Sequence, residues 1–396
     1  MQNRLRPTSE NNRLMWVDAT RGFAMLGIFI VNIGAFSSPF FRYGGEDLYW
    51  QQPIDQYTLA IVDIFFQASF YTLFSILFGF GIQLMKESIE RKKMHPASIL
   101  IRRLSALTTF GLIHAFLIWH GDILLSYGLV GFVLLLFLDR KNSTLIGWAA
   151  ALLGGSTVLF SSLLYMMRGQ LDQVNVQVIK QAFENYQSSN LLAIWTQNYQ
   201  DWQVDHGVAG FILLVVMLLP LFLIGMYLAR TRSLHEPENN HNLLVKGWVL
   251  TLFIFIVFKA GPYLFGNPTW LSIIQDYIGG TASALFYLFT ITLLAQKAVG
   301  KKLLAPFAAV GRMAFTNYIL QSVMSVLLFY GVGLGLYGKV PPFSAVILAV
   351  FLFIFQVFLS TWWLNRYHYG PLEWIWRTFT YGERPPWRIK RKQTRG

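Results

Sequence analysis

The stretch "HAFLIWHGDILLSYG", residues 114–128, sets two histidines and an aspartate between strongly apolar runs. Imidazole and carboxylate near hydroxyls suit acid–base work. A neutral histidine with one nitrogen held by a polar neighbour keeps the other free to take a proton. By helical rise His114 lies about 10 Å deeper than His120. Ser126 and Tyr127 reach similar depth on the following helix, so a short cleft from the outer face would give access. Gly121 suits a helix C-cap and Asp122 the N-cap of the next helix. His114 is therefore the candidate general base, Asp122 is kept among the catalytic candidates although it is expected to make the turn, and His120 is expected to sit idle at the rim. A packing histidine next to a capping acid is the plainer alternative.

A second set falls on the first apolar run. "WVDATRGFAMLGIFIVNIGAF" places Asp18 and Arg21 three residues apart. Asn32 follows fourteen residues after Asp18, on the same helical face and roughly 21 Å away along the axis. Asp63, Lys259, Asn317 and Gln321 also lie inside apolar stretches and fit a shared polar cavity. Ionisable groups at such depth cost roughly 2.5–3.5 kcal/mol each, which makes them functional candidates. Asp63 and Lys259 could equally be an ion pair that only fixes packing.

Other chemistries find no support. No histidines stand at i, i+4 spacing and no H-E-x-x-H pattern occurs, so no metal site is expected. There is no P-loop, no G-x-S-x-G elbow and no dinucleotide glycine fingerprint. Cysteine is absent, which removes thiolate nucleophiles.

The elements that must position these residues are hydrophobic helices. Of 396 residues, 55% are hydrophobic and 13% charged, unlike a soluble domain. Stretches long enough to span a bilayer are read at 15–36, 58–85, 102–120, 122–138, 145–167, 208–229, 245–265, 281–298, 312–337 and 343–365. Runs such as "LVGFVLLLFL" do not alternate, so the spans are helices rather than barrel strands. The expected fold is an all-α integral membrane protein, a single bundle of about ten transmembrane helices forming one domain over residues 1–396. The first span has no small-residue cleavage site after it and reads as a retained helix.

Charge sets the expected orientation. One side keeps only Arg42, Arg168, Lys180 and Lys339, and Lys259 lies inside a span. Every other Lys and Arg falls on the side of the two termini, which places both in the cytoplasm. The net charge of +13 then reflects topology and attraction to the lipid surface, not nucleic acid. Residues 168–207 form a long extracytoplasmic segment in which "LDQVNVQVIKQAFENY" has helical periodicity. Residues 366–396 read as a cytoplasmic interfacial helix with a polybasic tail.

Five blocks carry a family resemblance: "RLMWVDATRGFAMLGIFIVN", "LFSILFGFGI", "HAFLIWHGDILLSYGL", "GRMAFTNYILQS" and "RYHYGPLEWIWRTFTYG". In this order, and over nearly the whole chain, they resemble the YeiB-like family of bacterial membrane proteins. That family is similar to a wider transmembrane acyltransferase superfamily that includes heparan-alpha-glucosaminide N-acetyltransferase. The resemblance implies an enzyme of the cell membrane that takes an acyl (acetyl) group from cytosolic acyl-CoA. The acceptor would be a hydroxyl or amine on a small molecule, glycan or lipid at the outer side. It also implies that Asp18, Arg21 and Gly22 match the shared first-helix motif, and that Asn32 matches an active-site asparagine. The heparan enzyme's catalytic histidine corresponds to Tyr43 here, so a base must come from elsewhere, and His114 belongs to the YeiB-like pattern. In this reading Arg21, Arg103 and Arg312 bind the acyl-CoA phosphates, and Asn32 steadies the oxyanion. The partners are the lipid bilayer and the acceptor, and a homodimer is compatible with the sequence. A transporter or flippase for an anionic or lipid-linked solute, lined by Lys259, Asp63 and Gln321, is the alternative.

Overall fold

The computed structural model describes residues 14–171 and 174–389. Arg4, Arg6, Arg13 and the polybasic residues beyond Ile389, counted in the charge asymmetry, lie outside the described residues. Among the described residues no β-strand forms, and the only sheet-like pairing is a single bridge between Tyr367 and Arg388. Eight helices are long and apolar enough to cross a membrane, or nine if one bent pair counts as a span. The chain is thus an all-α membrane protein, as its composition predicts.

Helix α1 (Met15–Ser37) runs through the middle of the bundle. Next, α2 (Pro53–Phe65) and α3 (Ser69–Glu90) form one broken span, interrupted at Ala68, which takes a left-handed φ of 60°. Helix α4 (Pro96–Leu117) carries His114, and α5 (Leu124–Leu134) follows after a six-residue connection. Together with a short 3-10 turn, α5 extends only from Leu124 to Phe137, shorter than a full span. The long α6 (Asn142–Met167) lies at the periphery, with Leu159, Leu163 and Met166 exposed as lipid-facing side chains would be.

The segment expected to be extracytoplasmic contains α7 (Val176–Tyr186) and α8 (Leu191–His206). Spans α9 (Val208–Thr231), α10 (His241–Phe255) and α11 (Gly280–Leu294) follow. Two π-helical turns, Ile256–Ala260 and Gln275–Gly279, flank the irregular link between α10 and α11. The expected span at 312–337 is corrected, since its helix ends at Phe329 and a second helix precedes it at a sharp angle. A helix α12 (Ala298–Arg312) meets α13 (Ala314–Phe329) at 76°, with the break at Met313. Helix α14 (Pro342–Leu364) and the amphipathic α15 (Pro371–Tyr381) complete the chain.

Small residues let α1 and α12 touch backbone to backbone, as membrane helices do where packing replaces the hydrophobic drive. A methyl group added at Gly22 would meet the Phe307 carbonyl oxygen at 1.8 Å, and one at Gly311 would meet that of Asp18 at 1.8 Å. This contact fixes Arg312 beside Arg21.

Candidate functional site

Asp18 and Arg21 pair at 3.5 Å on α1, as their spacing predicts, with Asp18 buried. Arg21, Arg103 and Arg312, which lie far apart in sequence, line one cavity of about 150 Å³ together with Arg377 of α15. Arg103 stacks its guanidinium 3.7 Å over the Trp376 ring, and Trp376 donates to the Arg103 carbonyl at 3.0 Å. The floor is apolar, with Met25, Phe78 and Leu107, and Ile123, Tyr127 and Tyr318 also line it. Among the described residues the only acid lining it is Glu373. Four arginines against Glu373 and the Asp18 carboxylate paired with Arg21, beside an apolar floor, suit a molecule with an anionic head and an apolar arm.

Tyr318 leads from the cavity to the opening histidine, its ring centroid 5.0 Å from that of His114. His114 is fully buried. Its Nδ1 lies 2.8 Å from Asp122 Oδ1, and its Nε2 lies 2.8 Å from Ser322 Oγ on α13. The second Asp122 oxygen accepts the Leu125 amide at 2.7 Å, so the aspartate holds the first turn of α5 from one residue before the N-cap, which is Ile123 rather than the expected Asp122. No Lys or Arg pairs with Asp122 among the described residues, so its charge depends on these two donors. With Nδ1–H committed to the carboxylate, Nε2 is left as an acceptor, and the Ser322 hydroxyl is the donor facing it.

Several expectations need correction. Helix α4 ends at Leu117, before Gly121, so Gly121 is not its cap. Instead α8 closes that helix end. Asn198 donates to the Ala115 carbonyl at 2.6 Å and Trp195 to that of Leu117 at 3.1 Å, satisfying carbonyls a helix terminus leaves open. Tyr127 bonds Ser75 at 2.7 Å rather than His114, and the Ser126 hydroxyl has no hydrogen-bond partner among the described residues. The arginine-lined cavity extends toward His114 as far as the Tyr318 ring.

His120 is not an idle rim residue. It is buried, with Nδ1 3.2 Å from the Tyr186 hydroxyl and 3.7 Å from Asp201 Oδ2. Asp201, on α8, also accepts from Tyr186 at 2.6 Å, from Gln197 at 2.8 Å and from Tyr43. This cluster locks the 168–207 segment to the bundle. Burial, reinforced by Asp201, raises the Tyr43 phenol above its ordinary value, so Tyr43 serves as a donor and cannot stand in for a histidine base.

Asn317 and Gln321 are staples rather than cavity lining. Asn317 donates to Ser360 at 2.9 Å, Gln321 donates to Gln356 at 2.9 Å, and Gln356 returns a bond to the Asn317 carbonyl at 2.9 Å. They tie α13 to α14 and so hold Ser322 in register. Asn32 is half-buried, makes no side-chain hydrogen bond among the described residues and lines neither large cavity. Two turns inward on its face, Met25 does line the arginine cavity.

Asp63 and Lys259 do meet, at 3.7 Å, but the fully buried Lys259 pairs more closely with Asp276, at 3.0 Å. Tyr263, Gln275 and Asn267 complete the shell around Asp63, at 2.7, 3.0 and 3.4 Å. Asp63, Asp276, Glu46 and Asp47 line a second cavity of about 750 Å³ at the end of the bundle opposite the arginines.

Residues 228–383 match the family of proteins of unknown function designated DUF418. The uncharacterized protein YxaH of Bacillus subtilis (strain 168) is 37% identical, over 95% of this chain and 96% of its own length. The uncharacterized protein YeiB of Escherichia coli (strain K12) is 31% identical, over 93% of this chain and 96% of its own. An uncharacterized 39.9 kDa protein of Bacillus acidopullulyticus is 26% identical over 98% of this chain. No solved structure matches the chain.

Proposed function

We propose that this chain, which belongs to the YeiB-like, DUF418 family of bacterial proteins, is an acyl-CoA-dependent acyltransferase of the plasma membrane. The observation that carries the reading is the arginine-lined cavity whose inner wall, Tyr318, touches the His114 ring. The phosphates of the nucleotide would rest on Arg21, Arg103, Arg312 and Arg377, where bidentate guanidinium contacts recognise them. The thioester arm fits the apolar floor along Met25, Phe78 and Leu107. His114, oriented by Asp122, is the general base. Asn32 is assigned to the oxyanion or to the acceptor, approaching from the far end of α1. With the basic face cytoplasmic, acyl-CoA would enter from inside and the acceptor hydroxyl or amine from outside.

The test is binding and consumption of acetyl-CoA by purified protein in nanodiscs. Arg312→Ala and Arg103→Ala should each weaken binding about ten- to a hundredfold, as lost charged hydrogen bonds of about 1.5–3 kcal/mol require. His114→Ala should bind normally and transfer nothing. Acetyl-CoA binding that is indifferent to both arginines would end the proposal. A solute-transport reading draws instead on the larger cavity and its Lys259–Asp63–Asp276 ion group. Solute flux in proteoliposomes without consumption of acyl-CoA would favour it.

A further inference from the structure

We infer that Ser322 is a nucleophile that carries the acyl group covalently between donor and acceptor. This rests on the acyl-transfer reading above and adds a residue to it. The geometry is that of a serine activated through a histidine oriented by an aspartate, with 2.8 Å at each link. His114 is fully buried, Ser322 is 1% exposed and Asp122 3%. No cation competes for the aspartate among the described residues, so the carboxylate is available to stabilise an imidazolium.

Ser322 also lies 3.3 Å from the Tyr318 carbonyl four residues back, and what separates it from other buried serines is the imidazole. Ser75 bonds the Tyr71 carbonyl and the Tyr127 hydroxyl, while Ser283 bonds Ser69 and the Gly280 carbonyl. Ser360 accepts from Asn317. Ser322 is the one serine among the described residues whose hydroxyl faces an imidazole nitrogen. It is also held rigidly, because Asn317 and Gln321 pin the same helix to α14, and catalytic groups need such support.

Space argues for a relay. A cavity of about 150 Å³ can take an acyl arm but not an acceptor beside it, and the second cavity lies at the other end of the bundle. A carrier between them lets the substrates visit in turn. In the first step the Ser322 proton passes to His114 Nε2, Oγ bonds the acyl carbon and the carbon–sulfur bond breaks. The leaving thiolate takes the proton from His114 and departs as the free thiol. In the second step His114 takes the acceptor's proton and the acceptor oxygen or nitrogen bonds the acyl carbon. The ester bond to Ser322 then breaks, and the serine recovers its proton from His114.

A fluorophosphonate probe tests the nucleophile without any acyl donor, in wild-type protein in nanodiscs. Labelling should map to Ser322, vanish in Ser322→Ala and fall by about two orders of magnitude in His114→Ala, which keeps the serine but removes its base. Ser325→Ala deletes a buried hydroxyl without a partner one turn along the same helix, and should label as wild type does. Acid-quenched wild-type protein exposed to acetyl-CoA should carry an acetyl group on the peptide containing Ser322, a result that depends on no variant. Acetyl transfer that persists in Ser322→Ala, or labelling indifferent to His114→Ala, overturns the carrier while the acyltransferase reading stands. If wild-type protein consumes no acetyl-CoA, that reading fails, and probe labelling still decides whether Ser322 is a nucleophile.

Discussion

Glu373 tests whether α15 is part of the site or merely lies against it. Its carboxylate accepts the Phe315 amide at 2.7 Å, the Thr316 amide at 3.1 Å and the Thr316 hydroxyl at 2.6 Å. The two amides belong to the first turn of α13, where the helix has no carbonyl to offer them, and the negative charge faces the positive end of the helix dipole. Burial raises the carboxyl above its ordinary range while the three hydrogen bonds pull the other way. In Glu373→Ala two buried donors lose their acceptor, at about 1–3 kcal/mol each. Release of a costly buried carboxylate offsets part of this, which leaves about 2–4 kcal/mol. Helix α15 also supplies Trp376 and Arg377 to the cavity, so its opening would dismantle one wall. Where local opening limits cleavage, trypsin should cut after Arg377 about 30- to several-hundred-fold faster in Glu373→Ala. Glu373→Gln keeps an acceptor oxygen and loses chiefly the charge–dipole part, about 0.3–1 kcal/mol, so its rate should stay within about fivefold of wild type. Cleavage of the Ala variant at the wild-type rate, or equal damage from Gln, would refute the capping argument.

Gly311→Ala places a methyl 1.8 Å from the Asp18 carbonyl oxygen, so α1 and α12 must separate, whereas Gly147→Ala has nothing within 4 Å. Thermal melts in detergent should show a loss of about 1–3 kcal/mol for the first and none for the second. Lys259→Met strands Asp63 and Asp276 and should cost about 3–5 kcal/mol. Adding Asp63→Asn and Asp276→Asn should recover most of that, and a triple variant no more stable than the single would show the three are uncoupled. Glu46, outside the spans, has its carboxyl raised from 4.5 to about 7 by burial and then by Asp47. Across that window the folded chain keeps a proton the unfolded chain has lost, so stability falls as pH rises from 4.5 to about 7. Melting temperatures measured across this window should decline in wild type and change less in Glu46→Gln.

The helices were legible because lipid demands them: a run such as α14 admits no other secondary structure. The breaks were not. Ala68 in a left-handed turn occurs inside an apolar run, and the 76° corner at Met313 comes directly after Gly311 and Arg312, which the sequence reads as the start of a span rather than as a bend. At the site, His114 and Asp122 stood out because ionisable groups are rare in such company. Ser322 did not, since a serine in a membrane helix commonly satisfies itself on the carbonyl four residues back, and Ser322 does lie 3.3 Å from that of Tyr318. Its role follows from the crossing of α4 and α13, which no local pattern records. Glu373 and Asp201 were missed for the same reason, their partners being 57 and 158 residues away. The arginines were grouped correctly because charge asymmetry orders helix ends even where helix packing is unknown.

Within the acyl-transfer proposal, the tyrosine at position 43 is compensated by topology rather than by a nearby substitute. Tyr43 and His120 both converge on Asp201, but there the imidazole meets a phenol and a carboxylate that already serve to hold α8 in place. The Tyr186 hydroxyl lies 3.2 Å from His120 Nδ1, but it is bonded to Asp201 at 2.6 Å, and none of these residues lines either cavity. His114 lines neither cavity itself, but it has a carboxylate on one nitrogen and a serine on the other and lies one aromatic ring away from the arginine cavity. The base has thereby moved toward the end where the donor binds. A base so placed can attack the donor before any acceptor arrives, which a base at position 43, against the outer segment, could not do. The same displacement that removes the outer histidine therefore calls for a carrier, and Ser322 occupies the place where one is needed.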